Sequence, residues 1–130
     1  MSRERILVIE ENLEIAHQIV ALCFEMGCEP LLARDGFTGM LLALRAQPRL
    51  IVCDVETAGL DGFEIVRRAR QHPELDGTSI VAISKVVPRK PAANQAGFDA
   101  HVLKPVVSAQ LAEIVVKLMG QRYAAFAQAV

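Results

Sequence analysis

Leu50-Ile51-Val52-Cys53-Asp54 sets the architecture: an apolar run with no polar face, ending in a carboxylate. Such a short run, apolar on both sides, reads as a strand in the middle of a covered sheet. The same pattern recurs along the chain. Ile6-Leu7-Val8-Ile9 hands off to Glu10-Glu11, Ile80-Val81-Ala82-Ile83 to Ser84, and Val102-Leu103 to Lys104-Pro105. In an open parallel sheet these C-terminal strand ends share one edge, where such folds bind ligands. Carboxylates, a hydroxyl and an ammonium gathered there suit a divalent cation and a phosphoryl group.

Apolar runs near residues 5–9, 29–33, 50–53, 80–83 and 101–103 alternate with segments of helical spacing. Ile15, Ile19, Leu22 and Met26 form one stripe, closed by Gly27. Met40, Leu41 and Leu44 form another after Asp35-Gly36, and Phe63, Val66 and Ala69-Arg70 follow Asp61 as an N-cap. Leu111, Ile114, Val115 and Leu118 follow Ser108, a second expected cap, and stop at Gly120. Two prolines, Pro88 and Pro91, leave room only for a short helix starting near Pro91. Alternating strands and helices predict a parallel sheet with helices on both faces. The expected division is one domain over residues 1–120, with 121–130 either extending the last helix or beginning a connection.

Composition narrows the function classes. At 130 residues and 52% hydrophobic content with few aromatics, the chain is one aliphatic α/β domain with a real core. A net charge of -1 supplies no global field for nucleic acid or an anionic membrane. No apolar run approaches the roughly 20 residues needed to span a bilayer, and the N-terminus carries no secretory pattern, so a cytoplasmic location is expected. Cys23, Cys28 and Cys53 are odd in number and lack C-x-x-C spacing, which disfavours a disulfide framework or a zinc site. Strand alternation points Cys53 away from the face of Asp54. No G-x-G-x-x-G follows the first strand, so a nucleotide or flavin binder, the rival from another class, has no phosphate-cradling glycine run.

With Glu10-Glu11, Asp54, Ser84 and Lys104-Pro105 in this order, the chain resembles the receiver domain of bacterial two-component response regulators. Asp61-Gly62 after the acceptor position, His72-Pro73-Glu74-Leu75 before the fourth strand and Gly97-Phe98-Asp99-Ala100-His101 before the lysine add to the resemblance, which covers about residues 4–119. It implies a flavodoxin-like doubly wound five-stranded sheet of order 2-1-3-4-5. It also implies a chemistry: Asp54 takes a phosphoryl group from a sensor histidine kinase or phosphotransfer protein, and the group later hydrolyses. Magnesium would be held by Glu10, Glu11, Asp54 and the backbone carbonyl of Glu56. Lys104, aimed by a cis Lys104-Pro105 peptide, and Ser84 would bind phosphoryl oxygens. Ser84 and His101 would couple the site to an output partner on the face of the fourth helix, fifth strand and fifth helix, with a homodimer as one such assembly.

Several positions depart from the family pattern. Glu11 stands where the family has Asp, and its extra methylene moves the carboxylate. Lys85 replaces a small residue beside the phosphoryl group, so its ammonium either enters the site or turns outward with its stem along the surface. Glu56 puts a carboxylate two residues after the acceptor, and Ala58-Gly59 replaces a stiff element, which predicts a softer loop. His101 stands where the family has Tyr or Phe; it either acts as the switch ring or is an ordinary strand histidine. The leading reading is a phosphorylation-controlled binding module rather than a metabolic enzyme. Its rival is a degenerate receiver that binds partners without phosphate.

Overall fold

A computed structural model of the chain describes residues 3–86, 97–128 and 130. The elements are β1 (Arg5–Ile9), α1 (Leu13–Glu25), β2 (Glu29–Ala33), α2 (Gly36–Ala46), β3 (Leu50–Asp54), α3 (Gly62–Ala69), β4 (Ser79–Ser84), β5 (Ala100–Leu103), α4 (Ser108–Met119) and α5 (Ala124–Ala127). Short 3-10 turns cover Pro73–Leu75 and Gln121–Tyr123. The helix expected near Pro91 lies outside the described residues, so α4 here is the fifth helical segment of the sequence pattern.

All strand pairs are parallel, in the order β2-β1-β3-β4-β5, as expected. Val8 lies beside Val52, Val52 beside Val81, and Ile83 beside Val102. This register brings Glu10, Asp54, Ser84 and Lys104 out at one edge. Alternate strand residues then build two cores. Ile6, Val8, Val52, Val81 and Ile83 meet Ile19, Leu22 and Met26 of the α1 segment and Leu111 and Val115 of α4. Leu7, Ile9, Ile51 and Ile80 meet Met40 and Ala43 of α2 and Ile65, Val66 and Ala69 of α3. Each fully buried aliphatic contributes about 1.5–3 kcal/mol of transfer free energy. β3 lies at the centre, buried along its whole length.

Three local expectations change. First, α2 packs through Gly36, Gly39, Met40 and Ala43, and Leu41 is exposed. A Cβ on Gly39 would stand 2.5 Å from Cδ1 of Ile9, so missing side chains set how closely α2 approaches the sheet. Second, α3 buries Ile65 with Val66 and Ala69, while Phe63 remains partly exposed with its ring edge-on to Phe98 at 5.6 Å. Third, Ser108 is the first residue of α4 and not its cap; Val107 holds that position without a side-chain bond. Asp61 does cap α3, accepting from Glu64 N at 2.9 Å.

Helix α4 ends at Gly120, whose φ of 130° favours glycine. The tail turns back instead of continuing the helix. Tyr123 is buried, its hydroxyl donates to Glu4, and Arg122 pairs with the same carboxylate. Arg49 reaches Glu4 at 2.9 Å, so one carboxylate ties the start of β1, the entry to β3 and the tail. Among the described residues, no helix is long and apolar enough to cross a membrane.

Candidate functional site

The polar groups at the C-terminal strand edge converge on the ammonium of Lys104. Its Nζ lies 3.0 Å from Oδ2 of Asp54 and 3.0 Å from Oε1 of Glu10. The three side chains are nearly covered, so their attraction is little screened. Lys104 donates a hydrogen bond to Asp54, whereas Oε1 of Glu10 accepts none and meets the ammonium only as an ion pair. Oε2 of Glu10 accepts from Asn12 N at 3.1 Å. Asn12 itself caps α1 through Ile15 N, so the turn that starts the helix also fixes Glu10.

The electrostatics follow from burial around one cation. Burial pushes the Glu10 carboxyl above its ordinary value, Lys104 and the Asn12 N–H pull back, and the nearby Asp54 charge pushes the same way as burial. Burial pulls the Lys104 ammonium down, but the Asp54 bond and the charges of Asp54 and Glu10 outweigh it and raise the net value. Two carboxylates therefore share one cation.

Lys104 reaches the site from a fixed loop. Its backbone N–H donates to Ser84 O at 2.8 Å, and the Lys104-Pro105 peptide is cis. On the far side, Gln18 of α1 donates to Val106 O at 2.7 Å and to Ser108 Oγ at 3.2 Å. Ser84 is buried; its hydroxyl donates to Val86 O at 2.6 Å and lies 2.9 Å from Nε2 of His101. Burial lowers the pKa of His101.

Asp54 is further fixed by its own turn. Oδ1 accepts from Glu56 N at 3.0 Å, and the Asp54 carbonyl accepts from Thr57 N, Thr57 Oγ1 and Cys53 Sγ. The following loop is also tied down. Gly36 N donates to Ala58 O at 2.9 Å, and the Phe37 ring lies over Gly59, whose φ is +84°. The loop expected to be soft is thus stapled to the start of α2, by contacts that Ala58-Gly59 alone does not reveal.

The sequence-expected residues divide into two groups. Glu10, Asp54 and Lys104 come together, and Ser84 and His101 are bonded to each other one strand away. Glu11, Glu56 and Lys85 are exposed. Glu11 anchors the site indirectly, its carbonyl accepting from Arg34 at 3.1 Å. Glu56 contributes its backbone N–H to Asp54, a contact not anticipated, and its side chain is in solvent. Lys85 is exposed just past the end of β4. Asn12 and Thr57 were missed; Thr57 had no signal beyond its place three residues after Asp54.

Among the described residues, no three His, Cys, Asp or Glu side chains form a metal-holding cluster. Two adjacent carboxylates, one with a buried oxygen free of hydrogen bonds, are nevertheless a hard oxygen donor set. Such a set fits magnesium, which is held by one or two carboxylates and keeps several waters.

Comparison with known proteins agrees with this geometry. Residues 6–116 match the family described as the response regulator receiver domain. The chain is 32% identical over 122 residues to the sensor histidine kinase GacS of Pseudomonas protegens, covering 89% of this chain and 13% of that protein. An uncharacterized 14.6 kDa protein of Leptolyngbya boryana is 27% identical, with 85% of this chain and 86% of that one aligned. This chain therefore spans a small part of some relatives and most of another. Among solved structures, the receiver domain of sensor histidine kinase PA1611 from Pseudomonas aeruginosa, with magnesium in its active site cleft, matches with a TM-score of 0.81 at 24% identity, covering 91% of this chain and 98% of that one. Chemotaxis protein CheY4 of Vibrio cholerae matches with a TM-score of 0.84 at 20% identity, covering 90% and 99%. With its sheet order, its acidic edge and a family match over most of its length, this chain belongs to the response regulator receiver domain family.

Proposed function

We propose that the chain is a phosphorylation-controlled binding module in which Asp54 is the acceptor. The observation that carries this reading is the nearly covered Asp54 carboxylate at the end of the central strand, held by Lys104 beside Glu10. A carboxylate oxygen of Asp54 attacks phosphorus while the P–N bond of a donor phosphohistidine breaks. The imidazole leaves with the bonding electron pair; water later attacks the phosphorus of the acyl phosphate, releasing inorganic phosphate and restoring the Asp54 carboxylate. Lys104 already faces Asp54 as a compact cation and balances charge on the incoming oxygens. Magnesium is assigned to Glu10, Glu11, Asp54 and the Glu56 carbonyl, where it supplies charge neutralisation as the phosphoryl group arrives.

The donor is a sensor histidine kinase or phosphotransfer protein, and the location is cytoplasmic. Ser84 and His101 bias a two-state equilibrium read by an output partner on the β5 side of the domain. Residues 1–120 form the receiver, and 121–130 are an appended segment. Labelling by acetyl phosphate in magnesium tests the acceptor: wild type takes the label and Asp54→Asn does not. Equal labelling of the two proteins rejects the assignment.

A second reading, a degenerate receiver that binds partners without phosphate, draws on one observation. Glu11 is exposed while Lys104 already pairs with both covered carboxylates. Beryllofluoride separates the two readings. A magnesium-dependent change in the Ser84 and His101 resonances supports the switch, and none supports the scaffold.

A further inference from the structure

The turn that carries Asp54 has one buried side chain among four residues that otherwise face solvent wholly or in part. Val55 is half-buried and Glu56 and Ala58 are exposed, whereas Thr57 is 4% exposed. Thr57 folds back beneath the strand end and donates twice to Asp54 O, from Oγ1 at 2.5 Å and from its backbone N at 3.3 Å. The intervening Glu56 N–H is thereby held at 3.0 Å from Oδ1 of Asp54, leaving Oδ2 to Lys104. Other restraints on this segment are the Cys53 thiol on Asp54 O and two backbone contacts, Gly36 N on Ala58 O and Gly62 N on Val55 O. Gly62 is packed so closely that a Cβ there would stand 2.8 Å from the Val55 Cα.

We propose that Thr57 is a positioning residue for the phosphoacceptor: its hydroxyl, anchored on the Asp54 carbonyl, holds the Glu56 N–H against one carboxylate oxygen and so sets which way Asp54 faces. The inference rests on Asp54 being the acceptor but concerns a different contact. Asp54 O accepts both Thr57 donors, with the weak Cys53 thiol as a third at 3.4 Å. Deleting the hydroxyl leaves the backbone bond, and hence the turn, in place. What is lost is angular restraint on a reacting group, and small misplacements of such groups slow reactions out of proportion to their effect on folding.

Two substitutions separate position from stability. Thr57→Val keeps volume and branching but removes the donor; Thr57→Ser keeps the donor and removes a buried methyl. The measurements are hydrogen exchange of the Glu56 amide, the acetyl phosphate labelling rate at fixed magnesium, and the thermal midpoint. In Thr57→Val the Glu56 amide should exchange about tenfold faster and labelling should slow about tenfold, the loss of roughly one buried hydrogen bond. Thr57→Ser should hold both within about twofold of wild type while its midpoint falls, because the lost methyl leaves a cavity. Unchanged Glu56 exchange in Thr57→Val, or a Thr57→Ser protein as impaired as Thr57→Val, overturns the proposal. If wild type takes no label at all, the acceptor reading fails by itself, and the amide measurement still decides the role of Thr57.

Discussion

Replacing Lys104 with methionine keeps most of the stem and removes the charge that Glu10 and Asp54 share. The variant must then bury two adjacent carboxylates or protonate one of them, and protonation sets the ceiling on the cost. Glu10 is the group to take the proton, since burial already pushes its pKa above the ordinary 4.5. Protonating a carboxyl above its ordinary value costs about 1.36 kcal/mol per pH unit, hence about 3.4 kcal/mol at pH 7, about 2.0 at pH 6 and about 0.7 at pH 5. The sign follows from the raised folded-state value. Stability is fully present below the unfolded pKa and is lost as pH rises toward the folded one. Urea denaturation of both proteins at pH 5, 6 and 7 should therefore show a destabilisation that grows by up to about 3 kcal/mol from pH 5 to pH 7, added to a pH-independent loss of the bond to Asp54. A loss that does not grow between pH 5 and pH 7 would refute the argument, because it would leave only the pH-independent contacts of Lys104, its packing and its bond to Asp54.

Other outcomes follow from single contacts. Gly36→Ala drives a Cβ to 2.0 Å from Leu60 O, a backbone atom that cannot rotate away, and urea unfolding should show a loss of about 3 kcal/mol. Gly77→Ala, with nothing within 4 Å, is the control and should change stability by less than about 0.5 kcal/mol. Asp99→Ala strands Ile80 N, now bonded to Oδ2 of Asp99 at 2.7 Å, and should cost about 1–3 kcal/mol with faster exchange of the Ile80 amide. Glu11→Asp should tighten magnesium binding in calorimetry, and an unchanged dissociation constant would show that the longer side chain reaches the ion equally well.

The sheet could be read from the sequence because its central strands are apolar on both faces and four of the five strands hand off to a distinct polar residue. Strand order and the convergence of Glu10, Asp54 and Lys104 followed from that pattern together with the receiver resemblance. Contacts that depend on two distant segments meeting were less accessible. The packing face of α2 is defined by Gly36 and Gly39, whose role lies in side chains they lack and which a hydrophobic stripe therefore misses. Ser108 has cap chemistry, but the helix starts one residue earlier than a cap there requires, and its hydroxyl is taken by Gln18 from 90 residues away. The Ala58-Gly59 loop looked soft because the bond that stiffens it comes from Gly36. Lys85 offered two directions that local sequence could not separate, because both leave its long side chain at the exposed end of β4.

A hydroxyl has a single hydrogen, and at Ser84 it is already assigned. With that hydrogen on Val86 O, the oxygen is left to accept from His101, which matches the Nε2–H tautomer of the imidazole. Nδ1 then carries a bare lone pair, buried and without a partner among the described residues. A second proton on the ring has nowhere to donate, which gives a chemical reason for the neutral ring beyond burial alone. Any acceptor that appears beside Asp54 and claims the Ser84 hydrogen takes it from Val86. The released carbonyl belongs to a residue 68% exposed, where water can replace the lost bond. Occupancy of the acidic edge and closure of the Ser84–Val86 turn thus compete for one hydrogen.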